Sequence, residues 1–246
     1  MTGSLVVVGM GPGKAELMTP ATQAALAHAT DLVGYGPYLE RVPARDGQCR
    51  HASDNRVELD RARLALSLAA SGRQVVVVSG GDPGVFAMAA AVFEAVESGD
   101  PAWGSLDIRV EPGVTAMLAA AAEVGAPLGG DFCAISLSDN LKSWATIERR
   151  LRAAAEADFV IALYNPASKA RPHQLGEAFA LLRTVKNGDT PVLLVRAAGS
   201  AEASVITTTL ADTDAAQADM RTLVIVGAST TRRVGRWVYT PRGARP

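Results

Sequence analysis

The sequence predicts an α/β protein whose strands are largely parallel, with a mixed, strand-rich second half. Three observations carry this. Short β-branched runs alternate with helix-length segments for most of the 246 residues. Several runs stop abruptly at Gly- and Pro-rich breakers. Towards the end, runs at 191–195, 204–209 and 222–226 follow one another with little room for a helix between the last two, which implies a mixed sheet.

Residues 5–8 (Leu-Val-Val-Val) read as a strand that ends in Gly9-Met10-Gly11-Pro12-Gly13. Residues 17–29 read as a helix, with Thr19 as N-cap and Pro20 in its first turn, where a missing N–H costs nothing. A second strand lies around Leu32 and Val33. Residues 35–55 have mixed charge and no periodicity, so they read as loop with at most one short helix. A helix over 56–70 leads to a β-branched strand at 74–78, which Ser79-Gly80-Gly81-Asp82-Pro83-Gly84 interrupts. Then come a helix (85–97), a strand (106–110) ending at Glu111-Pro112-Gly113, and an Ala-rich helix (114–123). Strands at 132–137 and 159–163 alternate with helices at 143–157 and 172–185. Glu111-Pro112-Gly113 is a candidate hinge between two α/β halves. One continuous doubly wound sheet is the alternative, and the pattern alone does not decide between them.

Composition narrows the function. Apolar residues make up 48% and charged residues 20%, which excludes a disordered chain. Lys plus Arg is 24 against 25 Asp plus Glu, a net charge of −1, so no general nucleic-acid binder is expected. Two cysteines, Cys49 and Cys133, form no disulfide framework and fit a reducing cytoplasm. The first residues carry no basic segment ahead of an apolar one, and no apolar stretch is long enough for a membrane span. A soluble cytoplasmic protein is the expectation.

The glycine loops are the main chemical signal, because ligands in open α/β sheets sit beyond the carboxyl ends of strands. Gly9 to Gly13 fails as a dinucleotide fingerprint, which needs a glycine where Lys14 stands. It fails as a P-loop too, with Val8 and Ala15 in the wrong places. A nicotinamide-dependent oxidoreductase is therefore disfavoured. His28, His51 and His173 are isolated, so no metal is expected, and no G-x-S-x-G elbow exists. Asp82 among glycines would repel a phosphate at a helix N-terminus. A ligand with a positive end and no phosphate fits better, and S-adenosylmethionine, with its sulfonium and amino group, is one.

These residues together resemble the tetrapyrrole methylases, two-domain S-adenosylmethionine-dependent enzymes. The resemblance covers nearly the whole chain. It rests on Val8 to Gly13 followed by Leu17-Met18-Thr19, on Gly81-Asp82-Pro83-Gly84, on Pro112-Gly113-Val114-Thr115-Ala116, and on Gly125-Ala126-Pro127-Leu128. Val33 to Tyr38, Ile135 to Asp139 and Leu163 to Lys169 resemble a ring-contracting branch that methylates a precorrin. Two positions depart: Gly130 stands where a histidine is expected and Asn140 where a leucine is expected. No acid–base role can be carried over to the first.

The resemblance implies two α/β domains with mixed sheets, 1–112 and 113–246, a cofactor cleft between them, and a homodimer. It implies cofactor contacts at Pro12, Gly81, Asp82, Val85, Phe86, Thr115, Ala116, Leu137, Asn165 and Ala197. Ring contraction should need a base, and Asp82, Ser138, Asp139, Tyr35 and Tyr38 are unranked candidates. A precorrin carries several carboxylates, for which arginine is a forked partner. Lys14, Arg41, Lys169 and Arg171 are the substrate candidates, with Arg45, Arg50, Arg56, Arg61, Arg63, Arg232 and Arg233 behind them.

Overall fold

The structure is a computed structural model that describes residues 3–54 and 57–243. The chain divides into two compact units, Met1–Ala116 and Met117–Pro246. The division falls between the last strand of the first unit and the body of the helix that follows.

The first unit contains β1 (Ser4–Gly9), α1 (Pro20–His28), β2 (Asp31–Tyr35), α2 (Gly36–Leu39), β3 (Cys49–Ser53), α3 (Glu58–Ala70), β4 (Gln74–Ser79), α4 (Met88–Ser98) and β5 (Asp107–Glu111). Its sheet runs β3-β2-β4-β1-β5, and every pairing is parallel. Leu5, Val7, Val75 and Val77 pack into the cluster that holds Ala62, Leu66 and Val92 of α3 and α4. Val6, Val8, Val76 and Val78 pack into the cluster that holds Leu26 of α1. Both faces of β1 and β4 are thus covered, so their sequences are unbroken apolar runs instead of alternating ones.

The second unit begins with α5 (Ala116–Val124), whose first residue is the last of unit one. It continues through β6 (Gly125–Ala126), β7 (Phe132–Ser136), α6 (Trp144–Glu156), β8 (Val160–Tyr164), α7 (Gln174–Arg183), β9 (Pro191–Arg196), β10 (Ser204–Thr209), β11 (Thr222–Val226), β12 (Arg232–Val234) and β13 (Trp237–Tyr239). The main sheet runs β10-β9-β11-β8-β7. Only β7 and β8 pair in parallel; the remaining ladders are antiparallel, as the short links after residue 190 require. Phe179, Leu175 and Leu182 of α7 pack with Ile147 and Leu151 of α6 against Leu163, Leu194 and Val224. A small sheet, β12-β13-β6, completes the unit.

Several sequence expectations are corrected here. Residues 35–55 contain an edge strand, β3, as well as the short helix. The strand is polar and pairs on one side only, so it carries no apolar run to betray it. The small sheet was likewise invisible: β6 has two residues, and of β13 only Val238 is buried. The helix expected from residue 85 starts at Met88, because Phe86 takes φ 52°, which no right-handed helix tolerates. The cap of α1 is as expected: Thr19 Oγ1 accepts from the Thr22 N–H at 3.1 Å, and Pro20 opens the helix.

Candidate functional site

In unit one the chain leaves β1 through α1, on one face of the sheet, and travels to β2. It leaves β4 through α4, on the other face, and travels to β5. Since β1 and β4 are neighbours, their outgoing loops diverge, and this is the topological switch point at which open α/β sheets bind ligands. The two loops there are the Gly9–Gly13 and Gly80–Gly84 segments.

They are locked together by backbone. Gly11 and Gly81 exchange N–H···O bonds, both at 3.1 Å, with φ 66° and 62°. The third loop packs directly on them. A Cβ on Gly113 would lie 2.3 Å from the Gly81 carbonyl oxygen, and one on Gly9 would lie 2.7 Å from the Gly113 nitrogen. These glycines exist so that three main chains can touch. Asp82 ties the same knot: Oδ1 accepts from Gly84 N–H at 2.8 Å and Oδ2 from Gly113 N–H at 3.0 Å. Arg41 adds a clamp, its Nη2 donating to the carbonyls of Met10 (3.2 Å), Gly11 (3.3 Å) and Gly13 (3.0 Å).

Around this knot Pro12 and Val85 are half-buried, Phe86 and Lys14 are exposed, Thr115 is buried, and Ala116 opens α5. Tyr35 closes β2 and meets Tyr38 edge-to-face, centroids 5.5 Å apart. Burial raises the Tyr38 phenol above its usual value, against the lowering charge of Arg41. The neutral phenol therefore prevails at ordinary pH, which disfavours Tyr38 as the resting base.

In unit two the candidates gather at the ends of β7 and β8. Asn165 has φ 52°, and its Nδ2 donates to Ser136 Oγ at 2.9 Å. Ser136 Oγ also accepts the Ser138 N–H at 3.3 Å. Asp139 Oδ2 accepts from Gln174 Nε2 at 3.2 Å. Ala197, after β9, has φ 50° and hangs its N–H on the Arg221 carbonyl at 2.9 Å. Tyr164 Oη accepts from Met117 N–H in the first turn of α5 at 3.0 Å.

Two expectations change character. Leu137 is buried in the unit's apolar core, so only its backbone remains to face a ligand. Arg171 is buried as well, and its Nη1 donates to the Asn165 carbonyl at 3.3 Å; it holds the loop that Lys169, exposed at the tip, caps. Arg56 lies outside the described residues. Sequence reasoning missed Ser136, the serine that holds both Asn165 and Ser138. Its signal was the position in Ile135-Ser136-Leu137-Ser138-Asp139, inside the strand end and facing inward.

Of the four non-glycine residues with positive φ among those described, three are Phe86, Asn165 and Ala197, each a cofactor candidate. Strained left-handed residues collect where a backbone must present itself to a ligand. Among the described residues no group of His, Cys, Asp or Glu could hold a metal ion.

This fold and these loops define a methyltransferase of the tetrapyrrole class. Residues 4–214 match the family model for Tetrapyrrole (Corrin/Porphyrin) Methylases, and the chain belongs to that family. It is similar to a Precorrin-3B C(17)-methyltransferase of Sinorhizobium sp, 60% identical over 98% of this chain and 97% of that protein. It is 50% identical to the Cobalamin biosynthesis protein CobIJ of Mycobacterium bovis over 98% of this chain, and spans 48% of that protein's length. Among solved structures, the methyltransferase CobJ superposes with TM-score 0.95 at 55% identity, over 97% of this chain and 100% of that one. A uroporphyrin-III C-methyl transferase from Thermus thermophilus, complexed with S-adenyl homocysteine, has TM-score 0.70 at 24% identity over 92% of each chain, a likeness of fold.

Proposed function

We propose that the chain is an S-adenosylmethionine-dependent C-methyltransferase of cobalamin biosynthesis, acting on precorrin-3B at C17 with contraction of the ring to precorrin-4. The observation that carries it is the 60% identity, over nearly the full length of both chains, to a protein of that name. The site agrees in kind. Its loops present backbone N–H and C=O groups and one carboxylate, with no phosphate-binding signature.

The residues fit the cofactor. On the first unit Pro12, Gly81, Asp82, Val85, Phe86, Thr115 and Ala116 are proposed to touch it, and on the second Leu137 through its backbone, Asn165 and Ala197. When bound, S-adenosylmethionine supplies a methyl group already activated on a sulfonium. The chain's task is then to orient the substrate and exclude water. Asp82 is proposed to hold the loops in register, since both its oxygens accept backbone N–H groups. Asp139, Ser138 and Tyr35 are the residues proposed to move the proton that ring contraction releases. Lys14, Lys169 and the outward donors of Arg41 are proposed to meet substrate carboxylates; Arg171 acts on them only through the Asn165 loop.

We also infer a cytoplasmic homodimer. Its support is that Cys49 and Cys133 are not joined in a disulfide and that apolar side chains are left exposed, among them Phe93, Val234 and Trp237. No helix among the described residues is long and apolar enough to cross a membrane. Light scattering should give twice the chain mass. The functional test is incubation with S-adenosylmethionine and precorrin-3B, read by mass spectrometry for one added methyl group and by NMR for the contracted ring. Methylation at another carbon would favour a sister methylase, and binding of NADH would favour an oxidoreductase.

A further inference from the structure

Tyr38 is not accounted for by the cofactor loops. It lies on α2, straight after β2, with its ring against the cluster of Val8, Leu32 and Val78. Its tip reaches over Gly80 at the end of β4. A Cβ on Gly80 would stand 2.6 Å from Tyr38 Cζ and 2.8 Å from its Oη. Gly80 is therefore a glycine because the phenol occupies the space. Among the described residues the Tyr38 hydroxyl makes no hydrogen bond, and the side chain is only half-buried, which leaves the oxygen open to a ligand.

Two guanidinium groups bear on this hydroxyl, those of Arg41 and Arg61. Arg61 is 4% exposed. Its donors go to neutral groups: Nε to Ser53 Oγ at 2.8 Å, Nη1 to Met88 Sδ at 3.1 Å, and Nη2 to the Asp54 carbonyl. A thioether is a weak acceptor for a buried cation. Arg41 is half-buried, and its Nη2 alone serves the glycine loop, which leaves Nε and Nη1 without a partner among the described residues. Neither arginine makes a close ion pair among the described residues, although the Glu58 and Asp54 carboxylates act on Arg61 from further away. Buried charge that is not paired within the protein is costly. A half-buried hydroxyl with no partner among the described residues, in the field of two arginines of which Arg41 keeps donors to spare, is complementary to one anionic oxygen group next to the switch point.

We propose that Tyr38 Oη and Arg41 together receive a carboxylate of the tetrapyrrole, with Arg61 supplying fixed positive charge behind them. The proposal rests on the functional reading above and adds its point of substrate recognition. A neutral phenol donates here, so no proton is transferred at this position.

The test is Tyr38→Phe, which removes the oxygen and keeps the ring in its packing. Precorrin-3B turnover gives KM and kcat, and calorimetry with S-adenosylhomocysteine gives cofactor affinity. We expect KM to rise about 10- to 100-fold, the loss of one hydrogen bond to a charged group, with S-adenosylhomocysteine affinity changed less than about twofold. Gly80→Ala, which pushes the phenol aside without removing it, should raise KM in the same direction. A methyl-esterified precorrin should bind wild type and Tyr38→Phe alike. Unchanged KM in a folded Tyr38→Phe protein overturns the subsite while leaving the methyltransferase reading intact. If wild type neither binds S-adenosylhomocysteine nor turns over precorrin-3B, the functional reading itself fails, and this proposal with it.

Discussion

Asp31 shows how one side chain can organise the unreactive end of a sheet. It is buried at the start of β2. Its Oδ2 accepts from Arg73 Nε and Thr30 Oγ1, both at 2.7 Å, and its Oδ1 lies 2.9 Å from His51 Nε2. Burial alone would raise its pKa, but the hydrogen bonds from Arg73, His51 and Thr30 and the Arg73 charge outweigh it and bring the value from 3.8 to about 2. A lowered folded-state pKa means stability that is present above the unfolded value and lost as pH falls through the folded one. Wild type should therefore lose about 2 kcal/mol between pH ~4 and ~2 that Asp31→Asn does not lose, measured by urea unfolding across that range. Asp158 and Lys186 make a second test. The Lys186 ammonium is buried and lies 3.1 Å from Asp158 Oδ1, while Asp158, at φ 56°, is nearly half exposed and also binds Ser229. Asp158→Ala strands a buried cation and should cost about 2–3 kcal/mol, whereas Lys186→Met fills the same space and should cost under about 1.5 kcal/mol. Equal losses in thermal unfolding would refute the asymmetry.

At the scale of elements, three loops act as one object. The loops after β1 and β4 pair through Gly11 and Gly81, and the link after β5 closes on them through Gly113 and Asp82. The assembly takes one apolar anchor from the core, the fully buried Met10. It persists because main chains approach closer than any Cβ allows and because one carboxylate accepts two amides. Gly113→Ala puts a methyl group 2.3 Å from the Gly81 oxygen, which backbone must move to relieve. We expect at least a tenfold loss of S-adenosylhomocysteine affinity and a loss of about 3 kcal/mol or more in stability. Gly104→Ala, where a Cβ meets nothing within 4 Å, should leave both unchanged. Calorimetry and denaturant unfolding on the same preparations separate the outcomes.

For the whole molecule, ligand binding and stability are linked. A ligand that binds only the folded chain adds about 2.7 kcal/mol at one hundred times its Kd. For a chain of this size that raises Tm by roughly 5–10 °C. S-adenosylhomocysteine should produce such a shift in scanning fluorimetry and NADH should not; the reverse pattern would move the protein into the oxidoreductases. A near-neutral net charge also means that the field of the whole protein draws an acidic tetrapyrrole only weakly. Recognition must then come from local cations, which makes turnover sensitive to single arginines rather than to total charge.

The sequence by itself determined the strand–helix alternation of the first unit, because β1 and β4 are covered on both faces and must be apolar throughout. It also located the glycine loops, and the Asp82 and Asn165 motifs carried the family. Polar elements escaped it. β3, β12 and β13 exist because neighbouring strands offer them backbone partners, and a ladder of N–H and C=O groups leaves no mark in the side chains. Left-handed φ at Phe86, Asn165 and Ala197 was equally hidden, since none of these is a glycine. Only the tertiary structure could rank the charges. Arg41, Arg61 and Arg171 look alike in sequence, yet one clamps a loop with a single nitrogen and keeps others open, one is buried among neutral acceptors, and one holds a carbonyl. Which donors remain for a ligand depends on what the fold has already engaged, and that is decided by contacts between residues far apart in the chain.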